Sequence, residues 1–169
     1  FIDCYELKNI PLIISDIPKN DGWLSWIDVK DSWSMKNLKI NYGNEVFKCG
    51  EDDDGYPIKV KMKYYLKYVQ NTHADSPLYV FDSKFDTKPT TASIGDEYDV
   101  PKYFKDDLFK FAGERRRPPY KWLLVGPQRS GTCSHIDPLA TSAWNTLISG
   151  RKYWAVFPPN VTKEFAKCK

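Results

Sequence analysis

The run from Ser142 to Phe157 constrains the fold most: it is rich in aromatic and branched side chains and is broken once, at Gly150 and Arg151. A glycine leading a two-residue loop suits a type II′ turn, so this stretch predicts a β-hairpin. That register opposes Ser149 to Lys152, Leu147 to Trp154 and Asn145 to Val156, which puts all six on one face. Asn145 and Lys152 then look into one cavity. Four residues of strand separate Asn145 from Ser149, about 14 Å at ~3.4 Å per residue, a span that a lysine and a dicarboxylate would together largely bridge. A buried lysine needs an anion, and a carboxylate-bearing co-substrate supplies one.

The N-terminal part has a different texture, and the chain divides near Ser76 into a lead-in over 1–75 and a β-rich part over 76–169. A helix is expected from Ser34 to Tyr42, a strand from Glu45 to Cys49, and a turn over Gly50 to Pro57. Ile58, Val60 and Met62 alternate with lysines, the pattern of a strand with one wet face. Met62, Tyr65, Leu66 and Val69 then take up helical spacing, which predicts a helix to about Thr72. Strands are expected at Leu78 to Phe81 and Trp122 to Gly126, with a polar loop from Asp82 to Asp99 and a short helix from Asp106 to Phe111 between them. Trp122, Trp144 and Trp154 read most simply as barrel core.

The chain has 169 residues, 41% of them hydrophobic and 15% aromatic, enough for one core. Its formal net charge of +3 is too small and too well mixed to demand nucleic acid or an anionic membrane as partner. No apolar run approaches the ~20 residues that span a bilayer, so no membrane partner is expected. Cys4, Cys49, Cys133 and Cys168 are scattered without a Cys-x-x-Cys pair, which argues against a zinc site and for a reducing compartment. The chain starts with Phe1 rather than Met, and Lys169 falls just inside a helix expected after Pro158 and Pro159. It is therefore read as part of a longer protein.

His135 and Asp137 carry the chemistry. Side chains two apart on extended backbone leave the same face, and Pro138 favours extended backbone at Asp137. An imidazole and a carboxylate so placed supply two ligands of a 2-His-1-carboxylate triad, which leaves positions around Fe(II) open for co-substrate and dioxygen. The only other histidine, His73, sits at a polar helix end and reads as solvated. Glu51 to Asp54 read as a solvated acidic turn, although they would also attract a basic substrate. Arg115, Arg116 and Arg117 are read as a surface loop, with RNA as an open further partner.

The segments from Lys48 to Asp52, Met62 to Tyr65, Asp75 to Tyr79, Pro101 to Phe104, Gly113 to Tyr120 and Gly126 to Pro159 together resemble the jumonji C (JmjC) family. Within it they are most similar to the branch with arginine-demethylase and lysyl-hydroxylase activity. The resemblance implies a mostly β, double-stranded β-helix (jelly-roll, cupin-like) oxygenase fold, present only in part. It implies Fe(II), 2-oxoglutarate and O2 as cofactor and co-substrates, with His135 and Asp137 on the metal and Thr132, Asn145 and Lys152 on 2-oxoglutarate, Lys152 holding the distal carboxylate. The family's third metal ligand has no counterpart up to Lys169. The implied reaction is hydroxylation of a lysine side chain, or of a methylarginine N-methyl group that then leaves as formaldehyde. The implied substrates are lysine- and arginine-rich proteins, namely splicing factors and histone tails, and the implied location is the nucleus. Tyr79 is a further candidate facing the co-substrate.

A different class of function is a catalytically incomplete interaction module, either a fragment of the enzyme or a surface receptor for phosphatidylserine. A receptor on the cell exterior should carry a signal or membrane segment, and the sequence has neither. Half a jelly roll exposes strand edges, so such a piece is expected to be marginally stable or to aggregate.

Overall fold

The computed structural model describes residues 1–17 and 30–166. Helix α1, Met35–Tyr42, begins at Ser34, whose side chain accepts a hydrogen bond from the Asn37 amide at 3.3 Å. That cap satisfies one of the donors a helix start leaves unpaired. Leu38 and Tyr42, four residues apart, form its buried stripe. Strands β1, Val46–Glu51, and β2, Pro57–Lys61, pair antiparallel with Phe47 opposite Val60. The register slips between Lys48 and Glu51, where Gly50 takes a φ of 119°, a left-handed value that side chains rarely adopt. Asp52 builds the turn: its Oδ1 accepts from the amides of Asp54 and Tyr56 at 3.1 and 2.7 Å. The acidic run is thus an Asx-type turn, as the solvated reading expects.

At Met62 the residue spacing changes from two to 3.6, and the chain turns from β2 directly into α2, Met62–Asn71. Met62, Tyr65 and Leu66 enter the core, each such burial contributing roughly 1.5–3 kcal/mol against exposure. Strands β3, Val80–Asp82, and β4, Leu123–Val125, pair antiparallel as a second two-stranded sheet, with Val80 opposite Val125. Asp82 ties the two sheets together, its Oδ2 accepting from the Lys48 amide of β1 at 3.0 Å. Tyr65 ties α2 to the second sheet: its hydroxyl donates to the Val125 carbonyl at 2.5 Å and accepts from the Val80 amide at 3.3 Å. Burial pushes this phenol well above its usual range. The core joins Leu38, Phe47, Cys49, Met62, Tyr65, Val80, Phe85, Ile94 and Leu123, so both sides of Ser76 contribute to it.

Two further clamps lie between β3 and β4. Lys121 pairs with Asp86, whose side chain is only 8% exposed, and Arg117 pairs with Asp107 and Glu114 while its guanidinium lies 3.4 Å from the Tyr120 ring centroid. Arg117 is thereby a structural residue, whereas Arg115 and Arg116 are exposed. The short helix expected near Asp106 is a 3-10 helix, Leu108–Ala112, capped by Asp107. The loop after Asp82 is less polar in its role than in its composition: α3, Ser93–Asp96, buries Ile94. A last helix, α4, covers Lys163–Ala166, and Cys168 and Lys169 lie outside the described residues.

Small antiparallel sheets and helices are mixed, and among the described residues the strands do not close into a jelly roll. The expected hairpin over Ser142 to Phe157 is not formed. No ladder pairs Ser149 with Lys152, Leu147 with Trp154 or Asn145 with Val156, and the segment carries no regular secondary structure and is largely exposed. Gly150 does take a positive φ of 91°, so the turn chemistry is present without the pairing. The physical reason is cooperative: an isolated two-stranded hairpin is marginal in water and needs a third strand or an apolar face to lie on. Trp122 and Trp154, both expected in the core, are 40% and 64% exposed; Trp122 stacks on Phe81 at 4.2 Å, and the half-buried Trp144 stacks on Phe104 at 5.8 Å.

Candidate metal and co-substrate site

The site lies on the chain that leaves β4. Gly126 is the turning point: a Cβ there would sit 2.2 Å from Ser130 Oγ and 3.2 Å from Tyr79 Cβ, so the return of the chain across Tyr79 requires glycine. The Pro127 carbonyl then accepts from both the amide and the hydroxyl of Ser130, at 3.2 and 2.7 Å. Arg129 inside this turn has a φ of 72°, an uncommon conformation for a side-chain-bearing residue. The turn delivers Thr132 to Tyr79, and the two hydroxyls lie 2.8 Å apart. Tyr79 and Thr132, both singled out in the sequence, are thus brought together.

Beyond Thr132 the chain bends at Ser134 and reaches Asp137 in extended conformation (φ -60°, ψ 147°), and His135 and Asp137 face each other with Nε2 3.2 Å from Oδ1. His135 Nδ1 lies 2.8 Å from the Cys133 carbonyl. A carbonyl only accepts, so Nδ1 carries the hydrogen and Nε2 of the neutral ring presents a lone pair to the carboxylate. Two acceptors at that distance repel unless a cation, proton or metal ion, lies between them. Backbone support of the distal ring nitrogen is also what a metal-ligating imidazole receives from its surroundings. Adjacent ligands of an octahedral ion at ~2.1 Å are separated by about 3.0 Å, close to the spacing found. The donor pair therefore fits one edge of an iron coordination sphere. Among the described residues no group of three His, Cys, Asp or Glu side chains converges. His73 is exposed past the end of α2.

Among the described residues no hydrogen bond or ion pair joins Asn145 or Lys152 to that pair. Both are exposed on the segment after Thr141, and Lys152 Nζ sits 4.4 Å over the Trp154 ring centroid. Although much of Lys152 is in solvent, partial desolvation of its ammonium lowers its pKa. A carboxylate brought to it would reverse that shift. A surface pocket of about 350 Å³ adjoins the site, lined by Ser76, Pro77, Arg129, Gly131, Thr132 and Cys133. Arg129 and its partner Asp75, 2.7 Å apart, were not singled out by the sequence, because only the turn at Pro127 to Ser130 brings them together.

Comparison with known proteins places this segment. Residues 122–168 match the JmjC domain, hydroxylase family. The chain is 46% identical over 163 residues, 96% of its length and 39% of the relative, to the bifunctional arginine demethylase and lysyl-hydroxylase psr-1 of Caenorhabditis elegans. It is 38% identical over 161 residues, 95% of its length and 29% of the relative, to the arginine-specific demethylase JMJ22 of Arabidopsis thaliana. It is 25% identical over 183 aligned positions, covering 99% of its length and 43% of the relative, to the 2-oxoglutarate and iron-dependent oxygenase JMJD4 of Mus musculus. The chain thus spans about two fifths of the psr-1 proteins it matches. Thr132, His135, Asp137, Asn145 and Lys152 all lie within the segment that matches the JmjC domain, and the chain around it is similar to the hydroxylase and demethylase relatives along nearly its whole length.

Proposed function

We propose that the protein is an Fe(II)- and 2-oxoglutarate-dependent oxygenase that hydroxylates lysine side chains of proteins and demethylates methylarginine, with this chain supplying the first two metal ligands. The observation that carries this reading is the facing of His135 Nε2 and Asp137 Oδ1, a donor pair that a proton or a metal ion would bridge. Iron held there would couple oxidative decarboxylation of 2-oxoglutarate to insertion of oxygen into a substrate C–H bond. The Cys133 carbonyl keeps the hydrogen on Nδ1 and so keeps Nε2 free to ligate. Thr132 and Tyr79 present paired hydroxyls at one end of the site, suited to a carboxylate oxygen of the co-substrate. Lys152, with Asn145 on the same segment, is the proposed holder of the distal carboxylate, and swinging onto that anion would replace its position over Trp154. Jelly-roll closure, lysine- and arginine-rich substrates such as splicing factors and histone tails, and action in the nucleus belong to the same proposal and rest on the family resemblance. Exposed Arg115 and Arg116 are free to face RNA phosphates as an additional contact.

The test is succinate formation from 2-oxoglutarate by the full-length protein with Fe(II) and a lysine-rich peptide. The proposal expects turnover that depends on the peptide and is lost in Asp137→Ala; peptide-independent succinate, or an Asp137→Ala protein as active as wild type, would refute it. A second reading, a non-catalytic interaction module, draws on the two-ligand donor set. It predicts peptide binding without succinate in the same assay.

A further inference from the structure

The Asp75 and Arg129 pair sits beside a pocket whose far wall is the site itself. From the pocket, Thr132 reaches Tyr79 through its hydroxyl, and the Cys133 carbonyl accepts from His135 Nδ1. Cys133 and His135 are two residues apart across a bend at Ser134, so at most about 7 Å at ~3.4 Å per residue. An extended peptide laid along this surface covers that distance in two residues or fewer. A side chain occupying the pocket would therefore place its neighbour, one or two positions away, over His135 and Asp137. At about 350 Å³ the pocket lies at the small end for ligand sites, a size for one long side chain rather than a whole cofactor.

The ion pair decides which side chain. Asp75 is 84% exposed and Arg129 60% exposed, so both are open to exchange with an incoming charge. Arg129 is held in its left-handed backbone conformation by the double hydrogen bond to the Pro127 carbonyl, a strained arrangement that fixes where the arginine emerges from the turn. Resting on the oxygenase reading for its choice of substrate, we infer that this pocket is a subsite for a basic residue flanking the oxidised one. Asp75 is its anionic anchor, and the Arg129 guanidinium is a built-in occupant that the substrate's own arginine or lysine displaces. The two charges then act in opposite directions. Asp75 draws a basic flanking residue in, and Arg129 competes with it.

The experiment measures binding by fluorescence anisotropy on the full chain at low ionic strength, without iron or 2-oxoglutarate. The probes are two labelled peptides, each with one central lysine, flanked by arginines in one and by glutamines in the other. Asp75→Asn should weaken the arginine-flanked peptide by on the order of threefold, the scale of an exposed charge pair, and leave the glutamine-flanked peptide unchanged. Arg129→Gln should strengthen the arginine-flanked peptide by a similar factor. Asp75→Lys, which reverses the anchor, should abolish the preference for arginine flanks. All three substitutions lie at exposed positions, and unchanged circular dichroism confirms the fold. Loss of affinity in Arg129→Gln would show that the pocket takes an anion and overturn the assignment, as would unchanged affinity in all three variants. Failure of the oxygenase reading shows separately, as absent succinate in a protein that still discriminates between the peptides.

Discussion

Replacing Tyr65 with phenylalanine removes one oxygen from the core and tests how the helical lead-in holds the sheet that leads into the site. The hydroxyl has one proton, and at 2.5 Å the Val125 carbonyl takes it in preference to the Leu78 carbonyl at 3.4 Å. The same oxygen accepts from the Val80 amide at 3.3 Å, and Val80 is fully buried. In Tyr65→Phe both backbone groups lose this partner. A buried polar group left unpaired costs about 1–3 kcal/mol, and the longer of the two bonds counts less, so the variant should lose roughly 2–4 kcal/mol. Urea unfolding followed by tryptophan fluorescence should show the midpoint falling by roughly 1–2 M with an unchanged slope. Tyr56→Phe, at a residue 69% exposed, is the control and should be neutral. A Tyr65→Phe loss no larger than that control would refute the assignment of this hydroxyl as the link between α2 and the β3–β4 pair.

Three further outcomes follow from single residues. Gly126→Ala should destabilise by about 1–3 kcal/mol, because the new methyl meets Ser130 and Tyr79, and Ser130→Ala in the same chain should recover part of the loss in thermal unfolding. Burial pushes the Cys49 thiol up to about 11 from 9.0, so iodoacetamide at pH 8 should label the exposed Cys4 and Cys133 and spare Cys49; rapid labelling of Cys49 in the folded chain would contradict its core position. The raised Cys49 and Tyr65 values also fix a sign. Both groups keep their protons in the fold above the pH at which the unfolded chain releases them, so their contribution is complete below pH 9 and declines as pH rises, Cys49 through the window from 9 to about 11 and Tyr65 from 10 upward. Urea midpoints measured across that range should fall, and fall less steeply above pH 10 in Tyr65→Phe.

The elements legible in the sequence are those whose causes are local. Ser34 caps α1 by reaching a neighbour three residues on, and the switch from alternation at Ile58 and Val60 to helical spacing at Met62 marks where β2 becomes α2. The His135 and Asp137 pair was legible for the same reason, since two residues of extended backbone bring both side chains to one face. What was not legible depends on distant partners. Nothing near Tyr65 in sequence announces a bond to Val125, and Lys121 with Asp86 or Arg129 with Asp75 meet only once β4 and its following turn are in place. The hairpin over Ser142 to Phe157 failed in the opposite sense. Its turn residue behaves as the local chemistry says, yet pairing needs a neighbouring strand that no local pattern supplies. For the same reason Asn145 and Lys152 are placed by resemblance, while Thr132 and Tyr79 are joined by a direct contact.

The central claim is that His135 and Asp137 form a divalent-cation edge, and it is tested most directly by Mn(II) binding to the chain followed by electron paramagnetic resonance. The account predicts that free Mn(II) signal is lost on adding the wild-type chain, and that His135→Ala and Asp137→Ala each weaken binding by at least about tenfold, since each removes one of only two donors. Equal Mn(II) binding by wild type and both variants, or none by the wild type at millimolar metal, would contradict it.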